Sequence, residues 1–169
     1  MIFNNPSSKR ENTFRAIYDS ERFKSVLQHK DELCKFPFLV DIELTNHCNL
    51  KCSFCGQQAM TREKGFMSEG TFQKIIDECS LYNTPVRFIR WGEPFLHEKI
   101  IDFCKYSKTK GVPTHITNNG LVIKESDMKA LIDMEADSLI FSFQGATKEQ
   151  YEIMRNNKLY DKLRFNILK

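Results

Sequence analysis

Residues 38–55 read FLVDIELTNHCNLKCSFC. The first seven positions, Phe38 to Leu44, put β-branched and large apolar side chains in a window too short for a stable helix, and so predict a strand. Directly beyond its C-terminal end stand Cys48, Cys52 and Cys55, a C-x3-C-x2-C triplet. In parallel α/β sheets this edge is where ligands bind. Whether the chain is such a sheet depends on residues 56–169.

Those residues repeat the strand-and-helix unit. Ser68 opens a segment with Phe72, Ile75, Ile76 and Cys79 on one face, the spacing of an amphipathic helix. Val86 to Trp91 predicts a second strand, broken by Gly92-Glu93-Pro94. Ile100, Ile101, Cys104 and Ser107 mark the buried face of a second helix that Gly111 terminates. Pro113 to Thr117 predicts a third strand, ended by Asn118-Asn119-Gly120. Met128, Leu131 and Ile132 mark a third helix, and Ser138 to Phe143 a fourth strand. Thr147 and Gln150 have capping-box spacing ahead of a fourth helical region with Tyr151 and Met154, and Leu159 to Lys169 reads as further helix.

Four alternations of strand and helix are the signature of a parallel sheet with right-handed crossovers, an α/β partial barrel. Strand ends fall near residues 44, 91, 117 and 144, so the last two repeats are 26 and 27 residues long. A barrel of roughly six to eight such units needs at least about two more. The expectation for residues 36–169 is therefore an open half-barrel or a truncated chain. Its fourth strand would be an exposed edge that favours self-association. Residues 1–35 are polar and charged, with Phe14, Ile17, Phe23, Val26 and Leu27 near helical spacing, and predict a helical extension ahead of the core.

Composition narrows the class. A chain that is 41% hydrophobic and 28% charged suits a soluble globular domain rather than a disordered segment. Lys+Arg 25 against Asp+Glu 22 gives +3 with the charges scattered and no basic stripe, so the charge balance says little about nucleic acid. No apolar run approaches the roughly 20 residues that span a bilayer, and the first residues lack the apolar stretch of an export signal; the expected location is the cytoplasm. The six cysteines fall below the roughly 8–10% of a disulfide scaffold. Three of them crowded together predict metal binding or catalysis instead.

Three closely spaced thiolates suit an iron-sulfur cube, which ordinarily takes four cysteines. With three supplied locally, one iron keeps an open position, the mark of a reactive rather than a structural site. The rival is a structural zinc site with His47 or the remote Cys34 as fourth ligand. Cys79 and Cys104, on apolar helix faces, read as core residues.

At this point the chain resembles the radical S-adenosylmethionine enzymes, from about residue 38 onward. Beyond the three cysteines, Trp91-Gly92-Glu93-Pro94 is similar to that family's GGEP motif, Thr117-Asn118-Asn119-Gly120 to its T-N-G turn, and Ser142-Phe143-Gln144-Gly145 to its S-x-D-G segment. The four motifs appear in order, each at the end of a predicted strand. Trp91 stands where the family has its first glycine, and Gln144 where aspartate is frequent.

The resemblance implies that Cys48, Cys52 and Cys55 hold a [4Fe-4S] cluster whose fourth iron is chelated by the amino and carboxylate groups of S-adenosyl-L-methionine. Phe54 would lie near the adenine. The backbone of Gly92 and Glu93 would receive the methionine amino group, and Ser142 with Gln144 would face the ribose or carboxylate. Asn118 belongs to the same cofactor-binding set through the T-N-G turn. Reductive cleavage would then yield a 5′-deoxyadenosyl radical that abstracts hydrogen from a substrate. No catalytic side chain is assigned.

The implied partners are an electron donor such as flavodoxin or ferredoxin and a substrate of unknown identity, a peptide, sugar or small metabolite ahead of RNA. An auxiliary cluster of the SPASM-type branch would lie in sequence beyond residue 169. The rival to a working enzyme is a fragment that holds a cluster without cleaving the cofactor. His47 reads as a metal ligand or a loop-satisfying side chain, and Glu93 as a catalytic or a structural carboxylate. Arg87 and Arg90 read as surface salt-bridge partners, or as one lumen-facing arginine for a substrate anion. The Lys105–Lys110 segment reads as a solvated face.

Overall fold

A computed structural model describes residues 15–28 and 35–168. Its helices and strands run in chain order as α1 Arg15–Tyr18, α2 Glu21–Gln28, β1 Val40–Ile42, α3 Glu69–Leu81, β2 Val86–Phe88, α4 Ile100–Thr109, β3 Thr114–Asn118, α5 Glu125–Asp133, β4 Ser138–Phe141, α6 Lys148–Arg155 and α7 Tyr160–Leu168. The four strands form one parallel sheet in the order β1-β2-β3-β4. This is the predicted α/β arrangement, with a helix after every strand.

The strands are shorter than the apolar runs that predicted them. Pairing of β1 with β2 holds from Val40↔Val86 to Ile42↔Phe88 and no further. Past that point the chain is diverted: Arg90 takes φ 135°, a region closed to most side chains, and Leu44 leads into the cysteine loop. The fourth strand ends at Phe141 instead of Phe143.

Alternation along each strand sends Ile42, Val86, Phe88 and Ile116 under the helices, where Phe72, Ile76, Cys79, Phe103 and Cys104 meet them. Phe72 is the centre, stacked on Phe103 at 4.0 Å and edge-on to Phe88 at 5.7 Å. Burial of each such ring contributes about 1.5–3 kcal/mol. Burial pushes the Cys79 thiol up to about 11 and that of Cys104 up to about 12, so both behave as small apolar groups.

A second, smaller cluster of Leu50, Cys52, Leu121, Tyr151 and Leu163 lies under the cysteine loop. It joins that loop to α6 and α7, the last helices of the chain.

Two helix details depart from expectation. Ile132 is 75% exposed while Leu131 is buried, because one 100° step carries residue 132 off the stripe that faces the sheet. Thr147 caps α6 by accepting from the Gln150 N–H, but the Gln150 side chain accepts from Ala146, so the reciprocal half of the box is displaced by one residue. Ser68 caps α3 as predicted. In the N-terminal extension Phe23 rests on Phe38 and Leu27 is exposed; Phe14, Cys34 and the side chains of Ile17 and Val26 lie outside the described residues. Among the described residues, no helix is long and apolar enough to cross a membrane.

Phe72→Ala removes the central ring and lowers unfolding free energy by about 3–5 kcal/mol in urea titrations. Ile132→Lys changes it by less than about 0.5 kcal/mol.

Candidate functional site at the cysteine loop

The C-terminal ends of all four strands open on one cavity of about 240 Å³. Cys48, Cys52 and Cys55 line it together with Phe54, Gly92, Glu93, Asn118, Ser142 and Gln144. Four sequence segments separated by up to about a hundred residues thus supply one wall each.

Gly92 makes this convergence possible. A Cβ there would stand 1.8 Å from the Thr45 carbonyl oxygen and 2.6 Å from its carbon. Only a residue without a side chain lets the exit of β2 cross the start of the cysteine loop so closely. Trp91, in contrast, needs no such freedom: its N–H donates to Glu43 and its ring lies against Gly56, whose own Cβ would meet it at 3.2 Å. The close approach falls on the second glycine of the motif, so tryptophan at the first is accommodated.

Glu93 binds the segments to one another. Its N–H donates to the His47 carbonyl at 2.8 Å, and its carboxylate accepts from the N–H groups of Phe95 and Asn119. Asn119 in turn donates to Asn49 inside the cysteine loop. The carboxyl is almost wholly buried, and burial pushes it up to about 7 against the pull of those two N–H donors and the Arg155 charge. These contacts give Glu93 the structural role.

Other candidates separate on position. Asn118 reaches the cavity wall, yet its amide donates to the Ile140 carbonyl and its oxygen accepts from Gly120, which makes it a brace between β3 and β4. His47 stacks on Phe66, and only its backbone oxygen serves the site. His97 and His115 are satisfied by Met67 and Lys99, and by Ser138 and Thr117. On the sheet face opposite the helices, Asp41, Arg87, His115 and Ser138 stand in register across the four strands. Asp41 takes both Arg87 and Arg90, and Arg90 also lines the cavity.

Arg155, the last residue of α6, had no sequence signal of its own beyond lying four residues after Tyr151, on the same buried face. It is 6% exposed, lines the cavity and lies 5.8 Å above the Phe54 ring. Its Nη1 donates to Cys52 Sγ at 3.3 Å and its Nη2 to the Ser142 carbonyl.

Two polar atoms buried at this cavity have no partner among the described residues: the donor Nε of Arg155 and the acceptor Oε1 of Gln144. A ligand with both an anionic oxygen and a hydroxyl or amino donor satisfies both. Burial pushes the Cys48 thiol up, and the charges of Glu93, Cys52 and Cys55 add to that rise. Thiols so placed ionise together when they bind a strongly cationic centre. Among the described residues, no three His, Cys, Asp or Glu side chains are gathered for a single metal ion. Thiols spread around a cavity suit a cluster, where each cysteine takes its own iron.

The sequence pattern of the Radical SAM superfamily matches residues 42–168. The chain belongs to this superfamily. Its members are enzymes that use a [4Fe-4S] cluster and S-adenosyl-L-methionine, and the donor set and unpartnered atoms of the cavity fit those groups. The chain is 30% identical over 103 residues to a tungsten-containing aldehyde ferredoxin oxidoreductase cofactor-modifying protein of Pyrococcus furiosus, covering 60% of this chain and 29% of that protein. It is 25% identical over 120 residues to an AdoMet-dependent heme synthase of Methanosarcina barkeri, covering 70% and 34%. Among solved structures, Streptococcus suis SuiB bound to S-adenosylmethionine shares the fold at TM-score 0.64 and 20% identity, over 86% of this chain and 35% of SuiB. The chain spans about a third of the length of the curated relatives it matches.

Gly92→Ala forces the Thr45 crossing apart and lowers the melting temperature sharply, whereas Gly70→Ala, in open space on α3, raises stability by about 0.5–1 kcal/mol. Glu93 sets a pH dependence. Its folded pKa of about 7 lies above the ordinary 4.5, so the native state keeps a proton that the unfolded chain loses. The Glu93 contribution to stability is full below about pH 4.5 and is lost as pH rises through about 7, by on the order of 3 kcal/mol in total. Urea titrations across this window read the slope, and Glu93→Gln flattens it.

Proposed function

We propose that this chain is the cofactor-binding core of a radical S-adenosylmethionine enzyme, with Cys48, Cys52 and Cys55 as the cluster ligands. The observation that carries the reading is one cavity lined by three thiols, a buried guanidinium nitrogen and an amide oxygen, the last two unpartnered among the described residues. The chemistry supplied when both groups are bound is one-electron cleavage of a sulfonium S–C bond and abstraction of a hydrogen atom from a substrate.

The protein's part is placement. Arg155 Nε meets the carboxylate, and Gln144 Oε1, beside Ser142, accepts from a ribose hydroxyl. The amino group is itself a donor, and the Glu93 N–H is already committed to His47; carbonyl oxygens of the Gly92–Glu93 segment therefore receive it. Phe54, half exposed at the rim, offers a flat apolar face to the adenine. Leu50, Ile89 and Trp91 add apolar wall that keeps water from the reacting centre. The row of Asp41, Arg87, His115 and Ser138 on the open sheet face suits a polar substrate.

Anaerobic reconstitution with iron and sulfide, then reduction with S-adenosylmethionine, tests this. The expected product is 5′-deoxyadenosine. Cys48→Ala, Cys52→Ala and Cys55→Ala each abolish the cluster's visible absorption, while Cys79→Ala and Cys104→Ala keep it. Trp91, the chain's single tryptophan, lines the cavity, so its fluorescence is quenched as the cluster enters. Stoichiometric zinc with no iron would sink the reading; a cluster without product restricts it to cofactor holding.

A further inference from the structure

Resting on the cluster assignment above, we infer that Arg155 is a positioning residue that sets the reduction potential of the cluster through Cys52. A guanidinium 6% exposed must be paired, because an isolated buried charge is severely penalised. Among the described residues, its hydrogen bonds go to no carboxylate. They go to Cys52 Sγ at 3.3 Å and to the Ser142 carbonyl, with Glu93 near enough to feel its charge.

A neutral thiol is a weak acceptor and no counter-charge. The arrangement is electrostatically sound when the Cys52 sulfur is anionic, as it is when bound to iron.

The contact belongs to a larger clamp. The Ser53 N–H donates to the Met154 carbonyl at 3.0 Å, and the Ser53 hydroxyl donates to the same oxygen. The C-terminal turn of α6 is thus fixed to residues 52 and 53, and Arg155 has one orientation toward the sulfur. Among the described residues, neither Cys48 nor Cys55 receives a side-chain donor on its sulfur, so this cysteine alone is tuned. A hydrogen bond and a positive charge at a cluster sulfur favour the reduced state, which carries one more electron.

The test compares wild type, Arg155→Met, Arg155→Gln and Arg155→Lys, each reconstituted anaerobically and titrated with redox dyes while the reduced cluster is followed by electron paramagnetic resonance. Iron content and cofactor-free melting curves are measured in parallel. Arg155→Met is expected to bind a cluster and to titrate more negative, with the reduced-to-oxidised ratio about tenfold lower at the wild-type midpoint. That corresponds to about 59 mV for one electron. Arg155→Gln keeps a donor without charge and falls between, and Arg155→Lys recovers most of the shift.

Equal midpoints for wild type and Arg155→Met overturn the inference and leave the cluster assignment standing. Should Arg155→Met fail to fold, equal midpoints for wild type, Arg155→Gln and Arg155→Lys overturn it as well. A wild type that takes up no cluster overturns the assignment itself.

Discussion

One backbone crossing governs the mouth of this sheet: Gly92 lies against the Thr45 carbonyl with no room for a side chain. The exit of β2 is thereby pressed onto the entrance of the cysteine loop, close enough for the Glu93 N–H to reach His47. The Glu93 carboxylate then extends to Asn119 at the end of β3, and Asn119 to Asn49 back in the loop. Three strand ends are joined through a segment of two residues. Remove the crossing and each of these bonds loses its partner, although no cysteine has changed.

Much of this was legible in the sequence. Period and strand order pointed to the α/β sheet, because each βα unit carries its own apolar signature and its own stop. The cysteine spacing and the Gly-Glu-Pro, T-N-G and Ser-x-Gln-Gly segments pointed to residues that line the same cavity. What could not be read was the assignment of individual atoms. Asn118 belongs to a motif, yet its side chain is consumed within the sheet. The apolar runs extend past the paired residues because Phe38, Ile89 and Phe143 are apolar for packing and lining reasons that propensity cannot distinguish from pairing. Arg155 escaped notice because a basic residue in a helix's last turn ordinarily serves the helix dipole at the surface. Its side chain meets Cys52, more than a hundred residues away in sequence.

The electrostatics of the cavity are dominated by burial. Its own side chains include a carboxyl with its pKa raised to about 7, a thiol pushed up by burial, and one guanidinium whose Nε has no acceptor among the described residues. Such a site resists accumulating negative charge by itself, since every additional anion is desolvated and close to others. Partners that bring positive iron to the thiols and an anionic oxygen to the guanidinium relieve both problems together. Under the proposed assignment, the two cofactors of the superfamily would be complementary to opposite halves of one electrostatic problem.

This complementarity also explains why the site cannot be confined to the loop that names it. The apolar cluster of Leu50, Leu121, Tyr151 and Leu163 and the Ser53–Met154 clamp bind the cysteine loop to α6 and α7, elements that lie beyond β4 in the chain. A loop of closely spaced cysteines is locally easy to form but has no fixed geometry without an anchor, and here the anchor is the far end of the described fold. By mass action, a group bound at the three cysteines would favour every contact that holds them in position. Under the proposed assignment, a cluster at residues 48–55 would stabilise the last two helices, and those helices hold the loop that would carry it.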